Sequence, residues 1–299
     1  MSQLPVDQVL TLLAVVDEGT FDAAAAALHV TPSAVSQRIK ALEQRTGRVL
    51  VTRTKPVHPT DSGQIVVRFA RQLAALQRDT QRELGIAAES GPIRLSIAVN
   101  ADSLATWFLP ALTRVPQDPP IHFDLHRQDE AHTTTLLREG RVMAAVTSAA
   151  EPVTGCSARP LGAARYLPVA TPAFIARHLS GGPLRERLPH APVLVFDRQD
   201  DLQDSFVRAL TSQATGASRG RHHIPASEGY RDAVAAGLGW GLLPESHAVP
   251  LIESGDLDNL TPGHWVDVPL YWQQWKLDVP ALALVAETVI GAAAESLHR

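Results

Sequence analysis

Between Pro32 and Leu42 the side chains divide by helical spacing, with Val35, Ile39 and Leu42 at i, i+4 and i+7, and Ser33, Ser36, Gln37 and Lys40 on the opposite side. A helix so divided buries one face and offers hydroxyls, an amide and a cation on the other, groups that pair with phosphates and base edges. From Thr31 to Thr60 the basic residues Arg38, Lys40, Arg45, Arg48, Arg53 and Lys55 face Glu43 as the sole acid. That local basicity, in a chain of net charge −4, points to DNA phosphates rather than to a general nucleic-acid wrapper. An ordinary pair of packed helices would share the periodicity but would not need the charge.

Other residues that could do chemistry lack the company they need. His122 and His126 could share a strand face and His222 and His223 are adjacent, but no third ligand stands at metal spacing. The single cysteine, Cys156, excludes an internal disulfide and a cysteine-built metal site. Gly237-Leu238-Gly239-Trp240-Gly241 is not spaced as a dinucleotide loop, and P-loop and H-E-x-x-H patterns are missing. No catalytic residue and no cofactor is expected.

The polar-faced helix needs a frame. Phe21–Leu28 is an alanine-rich helix with Thr20 as its cap, and a turn at His29–Thr31 leads to a second helix capped by Thr31 and opened by Pro32. Together they predict a helix-turn-helix whose second helix enters the major groove. Val6–Glu18, with Val9, Leu12, Leu13 and Val16 on one stripe, should pack behind it. RVLVTRTKPVHPT, after Gly47, alternates and carries prolines, which suits a short two-stranded wing with Arg53 and Lys55 at its tip. Thr60-Asp61-Ser62-Gly63 then opens a long helix expected to reach about residue 88. Its residues Val66, Phe69, Leu73 and Leu76 follow a two-helix seam, which predicts a homodimer through this helix. Ser90-Gly91-Pro92 predicts a hinge. Beyond residue 92 short apolar runs (Ile93–Val99, Phe123–Leu125, Met143–Thr147, Tyr166–Ala170, Val193–Phe196, Gly241–Leu243) alternate with helical patterns, predicting α/β architecture with largely parallel strands.

The N-terminus, MSQLPVDQVL, has no basic start and apolar core of a secretion signal, and no apolar run is long enough to span a bilayer; the cytoplasm is the expected compartment.

With these elements in place the chain resembles the LysR-type transcriptional regulators. The match is carried by LAVVDEGTFDAAAAALHVTPSAVSQRIKALEQRTGRVLVTR and the helix opening at TDSG. In the second half VNADSLATWFLPAL (99–112), QDE (128–130), LGAARYLPVATPAF (161–174), VLVFDRQDD (193–201) and LTPG (260–263) are similar to the lysine and arginine export regulators, the LysG/ArgP group. The resemblance implies a winged helix-turn-helix over 1–59, a linker and dimerisation helix with hinge over 60–91, and a periplasmic-binding-protein-like effector domain over 92–299. That domain would have two α/β lobes, about 92–163 with 267–299 and about 164–266. It further implies a double-stranded DNA operator, dimers pairing into tetramers, contact with RNA polymerase, and a basic amino acid, lysine or arginine, as effector. Activation of an exporter gene is the expected outcome.

Carried onto this chain, the family's recognition pattern puts Pro32, Ser33, Ser36 and Gln37 at the groove. Gln37 stands where many members have arginine and can pair bidentately with adenine. Thr31, Arg38 and Lys40 are assigned to phosphate, and Arg53, with Lys55 beside it, to the wing's reach toward DNA. The effector site is expected between the lobes, beyond strand ends. Asn100, Asp102 and Ser103 follow the strand Ile93–Val99, and the helix start and the Ser103 hydroxyl are candidates for the effector's carboxylate. Its cation needs a carboxylate partner, for which Asp102, Asp129, Glu130, Asp197, Asp200, Asp201 and Glu228 are candidates. Ser148 and Ser227 complete the expected lining. Two readings from other classes are weaker. An enzyme or solute-binding module with autoregulatory DNA binding lacks a catalytic motif and a secretion signal, and an architectural DNA binder leaves the large α/β half without a role.

Overall fold

The computed structural model describes residues 3–86, 93–118, 120–127, 130–212 and 216–299, apart from the side chains of 130–132. The expected hinge at Ser90-Gly91-Pro92 and the candidate Asp129 lie outside these residues.

The first helices are α1 (Val6–Glu18), α2 (Phe21–Ala27) and α3 (Pro32–Thr46). Each ends or starts on a residue chosen for its backbone. Gly19 and Gly47 close α1 and α3 in the left-handed region, and Thr20 and Thr31 accept from the backbone of Ala23 and Ala34. Val9, Leu12, Val35, Ile39 and Leu42 form one buried cluster, so the apolar face read from the sequence is the packed one. The wing is β1 (Val51–Thr52) antiparallel to β2 (His58–Pro59).

Helix α4 runs Asp61–Glu83, capped by Thr60, and stops short of the expected residue 88. Its predicted seam is turned at one end. Val66 is buried in the cluster of α1–α3 and Leu73 is half-buried, while Ile65, Phe69 and Leu76 are exposed. Val66 leaves the seam because Val66, Val67 and Ala70 pack back on α1, which faces α4 along its length. Farther along, Ala75 joins the core of the next unit.

That unit starts with β3 (Ile93–Val99). There follow α5 (Ala101–Ser103), a π-helical turn at Leu104–Phe108 and α6 (Leu109–Leu112), one after another without a break. Next come β4 (Ile121–Arg127), α7 (Glu130–Arg138), β5 (Ala144–Thr147) and the long β6 (Cys156–Ala170). The chain continues through α8 (Pro172–Phe174), α9 (Leu184–Arg187), β7 (Val193–Val195), α10 (Leu202–Thr211), β8 (Arg221–His223), α11 (Ser227–Ala235) and β9 (Gly241–Pro244). It ends with α12 (Glu245–Glu253), β10 (Asp258–Asn259), β11 (Val266–Trp275) and α13 (Pro280–Ser296). One core gathers β3–β5, α13 and the buried Trp272; two others, around Trp240 and around Leu243, belong to the segment between β6 and β11.

The expectation of largely parallel strands is corrected. In the seven-stranded sheet, ordered β10-β6-β11-β5-β3-β4 with β9 on β6, β3 is parallel to β4 and β5 while the other pairings are antiparallel. The reason is that the chain crosses between the two lobes twice, along β6 and β11, which lie side by side in opposite directions. Only the apolar end of β6 was visible as Tyr166–Ala170. The stretch before it, Cys156–Arg165, with Pro160 and two arginines and mostly half-exposed or exposed, carries no apolar run.

Candidate functional site

The α3 face is built by its caps. The Thr31 Oγ accepts from the Ala34 amide at 3.3 Å, fixing the first turn, and lies 3.1 Å from the Ser33 hydroxyl. His29, at φ 53, turns the chain between α2 and α3. With Val35, Ile39 and Leu42 anchored below, Pro32, Ser33, Ser36, Gln37 and Lys40 are all exposed, and so are Arg53 and Lys55 on the wing. Thr52 and Thr54 brace that wing by donating to the carbonyls of His58 and Pro56.

Arg38, expected at phosphate, is engaged within the chain. Its guanidinium donates to the Thr11 hydroxyl at 3.3 Å and lies 3.8 Å from the Asp7 carboxylate, both on α1. It faces neither with Gln37 nor with Lys40, because the following position on a 3.6-residue turn points about 100° away, here back over α1.

A cavity of about 340 Å³ lies where the strand ends of the two lobes meet. Asn100 and Asp102 come from the end of β3, Ser148 from just after β5, and Tyr166 from β6. The loop between β7 and α10 supplies Asp197, Asp200 and Asp201; Ser227 and Tyr230 come from α11. Thus Asn100, Asp102, Ser148, Asp197, Asp200, Asp201 and Ser227 are brought together. Ser103 and Glu228 are not. Ser103 is buried at 2 % exposure and does not line the cavity, since the helix turns it into the lobe, and Glu228 is exposed on α11. Glu130 opens α7, with its side chain outside the described residues.

The carboxylates here are held by donors already. Asp102 accepts from the Tyr166 hydroxyl at 2.8 Å and from the Ser227 hydroxyl at 2.6 Å, which ties the β3 end to α11 across the cavity. Asp197 accepts from the amides of Gln199 and Asp200, and Asp200 from those of Phe196 and Leu202. Burial pushes the Asp200 carboxyl above the usual carboxylate range, its amide donors oppose this, and the nearby Asp197 charge adds to it. With its amide nitrogen turned to Asp200, Gln203 donates to that carboxylate at 3.1 Å and accepts from Tyr230. Buried Tyr230 is held protonated first by desolvation, and its oxygen accepts from the Leu242 amide. The Asn100 Oδ1, by contrast, is buried without a partner among the described residues. Among the described residues, no lysine, arginine or histidine lines this cavity.

Tyr166, Gln203 and Tyr230 were missed in the sequence. One signal was present for Gln203: it sits on the apolar stripe of α10 with Phe206 and Val207, where an amide is out of place unless it has a buried partner.

Residues 6–64 match the family described as "Bacterial regulatory helix-turn-helix protein, lysR family", and residues 88–294 match the LysR substrate binding domain. The chain belongs to the LysR family. It is therefore a DNA-binding transcriptional regulator and not an enzyme. This LysR-family regulator is 46% identical over 291 residues to the lysine export transcriptional regulatory protein LysG of Corynebacterium efficiens, covering 96% of this chain and 97% of that one. The crystal structure of ArgP from Mycobacterium tuberculosis superposes with TM-score 0.92 at 45% identity over 99% of both chains. Full-length LysG from Corynebacterium glutamicum with bound effector Arg gives 0.86 at 41% identity, over 99% of this chain and 100% of that chain. Another full-length LysG chain from the same organism, with the same coverage, gives 0.63 at 40% identity. Against these full-length relatives the regulator has the helix-turn-helix domain followed by the two-part α/β region.

Proposed function

We propose that this LysR-family regulator answers to a basic amino acid, arginine or lysine, held in the cavity between its lobes, and that it activates the gene of an amino-acid exporter. The observation that carries the reading is the sign of the lining: among the described residues, four aspartates and no basic side chain line the cavity. A cationic ligand offsets that charge, and the unpartnered Asn100 Oδ1 supplies a further acceptor for an ammonium or guanidinium. Ser148 supplies a hydroxyl for the ligand's carboxylate, while the Ser227 hydroxyl is engaged with Asp102. The relatives named as lysine export regulators, and the LysG structure with bound effector Arg, support the same ligand class.

On the DNA side Pro32, Ser33, Ser36 and Gln37 meet base edges, while Thr31, Lys40, Arg53 and Lys55 meet phosphate. Two copies pair through the exposed Ile65, Phe69 and Leu76 of α4, dimers pair in turn, and the DNA-bound form contacts RNA polymerase in the cytoplasm.

Calorimetric titration of the full-length protein with arginine, lysine and norleucine tests the effector. Norleucine is nearly isosteric with lysine but lacks its charge, so it should bind far more weakly. Equal affinity for norleucine and lysine would sink the reading.

A further inference from the structure

The guanidinium of Arg71, on α4, holds two parts of the molecule at once. One terminal nitrogen donates to the Asp17 carboxylate at 2.6 Å, and the other to the Glu139 carbonyl at 2.9 Å. Asp17 lies in the last turn of α1, in the DNA-binding domain; Glu139 directly follows α7, in the first lobe. Both are helix C-termini, where carbonyls are left without helical partners and a cation is favoured. A carboxylate in the last turn of α1 runs against that helix's dipole, and the Arg71 cation offsets it.

The junction is close-packed as well as charged. Gly140, at φ +69, would place a Cβ 3.0 Å from the Arg68 Cα, so the α4 backbone lies directly over this turn. One turn beyond Arg71, Ala75 is part of the first lobe's core, while Val66, Val67 and Ala70 belong to the core of the DNA-binding domain. The side chain of Arg71 is 19 % exposed and that of Asp17 is 49 % exposed, so the arginine end of the pair is the one shielded from solvent. The forked guanidinium suits two acceptors in different directions, and an ammonium does not reproduce it. The two full-length LysG chains, aligned over the same span, differ in their agreement with this structure, 0.86 against 0.63. Over one span, then, such chains are found in different shapes.

We infer that Arg71 is a positioning residue that fixes the DNA-binding domain to the first effector lobe, so that the effector's influence on DNA binding passes through this brace. The inference needs only that an effector bound in the α/β region alters DNA binding. Its reading with arginine or lysine as probe rests on the function proposed above.

The test uses the full-length protein, wild type and Arg71→Gln and Arg71→Lys, with a DNA duplex selected by the wild type from a random-sequence library. The quantity read is the ratio of duplex affinities with and without saturating arginine or lysine, a coupling that typically lies in the range of about 5–150-fold. Arg71→Gln should bring this ratio close to one while affinity for the amino acid alone stays at the wild-type value, and its small-angle scattering profile should change. Arg71→Lys should fall between, since it keeps the charge and loses the fork. A merely structural role would lower the melting temperature and leave the ratio alone. An unchanged ratio in Arg71→Gln overturns the inference, whatever its scattering profile. Should the wild type show no ratio with either amino acid, the proposed effector fails and the scattering profile alone decides the brace, an unchanged profile again overturning it. Should Arg71→Gln not fold, Asp17→Asn releases only the α1 end and is read in the same way.

Discussion

The α3 face and the cavity are both polar, yet they are prepared in opposite ways. On α3, Gln37, Ser36 and Lys40 stand out from a rigid rod, exposed to solvent. In the cavity, Asp102 and Asp197 are each held by two donors from this chain and Asp200 by three. A surface that must scan many sequences gains from side chains free to meet whichever edge is presented. A cavity that must hold one small cation gains from carboxylates that do not reorganise when it arrives. The first kind of site depends on local spacing, the second on a network drawn from several distant segments.

The largest expected effect breaks the network. Asp102→Asn removes the charge but keeps the shape between Tyr166 and Ser227, and should weaken arginine or lysine binding by about 2–5 kcal/mol. Calorimetry reads the loss, and affinity for a selected DNA duplex without amino acid should be unaffected. A variant that binds arginine as tightly as the wild type would move the cation's partner to the β7–α10 loop.

Gln37→Ala probes the free face and should cost roughly 1–3 kcal/mol at one base-pair position, seen as relaxed preference there when variant duplexes are compared. Uniform weakening across all duplexes would instead make Gln37 a backbone contact. Thr31→Ala asks how far that face relies on its cap, since the hydroxyl satisfies the Ala34 amide. Thermal or denaturant unfolding should show a loss of about 1 kcal/mol.

The smallest effect sharpens the border of the face. Because Arg38 is engaged with Asp7 and Thr11, Arg38→Ala should lower stability by no more than about 1 kcal/mol and leave the salt dependence of DNA binding unchanged. Lys40→Ala should reduce that dependence. A reduced salt slope in Arg38→Ala would show that the side chain leaves α1 for phosphate in the complex.

The same contrast explains what could be read from the chain alone. Thr20, Thr31, Pro32 and the Val35-Ile39-Leu42 stripe act within a few residues of themselves, so their roles were legible as spacing. The aspartates of the cavity were legible only as a set. Which of them converge depends on β6 and β11 carrying the chain between lobes, and half of β6 has no apolar signal. Ser103 shows the limit from the other side: a serine next to a strand end looks like a ligand contact, but the helix that begins at Ala101 turns it into the lobe. The contacts of Arg38 within the chain were hidden for the same reason at smaller scale, since its partners Asp7 and Thr11 lie on another helix, remote in sequence. Glycine at 140 was unreadable as a contact because its neighbour, Arg68, is on α4.

The paired strands β6 and β11 carry a consequence for how the effector half comes apart. Their ladder runs from Cys156 opposite Trp275 to Tyr166 opposite Val266, with one register shift at Leu270/Tyr271, and passes from one lobe into the other. The expected border near 163 falls inside β6, within this ladder, while that near 266 falls at the start of β11. A fragment divided at 163 would carry only part of β6 and leave part of β11 with an unpaired edge open to other chains. Three apolar cores thus share two continuous strands, and thermal unfolding of this half should show one transition rather than one for each lobe, read by calorimetry.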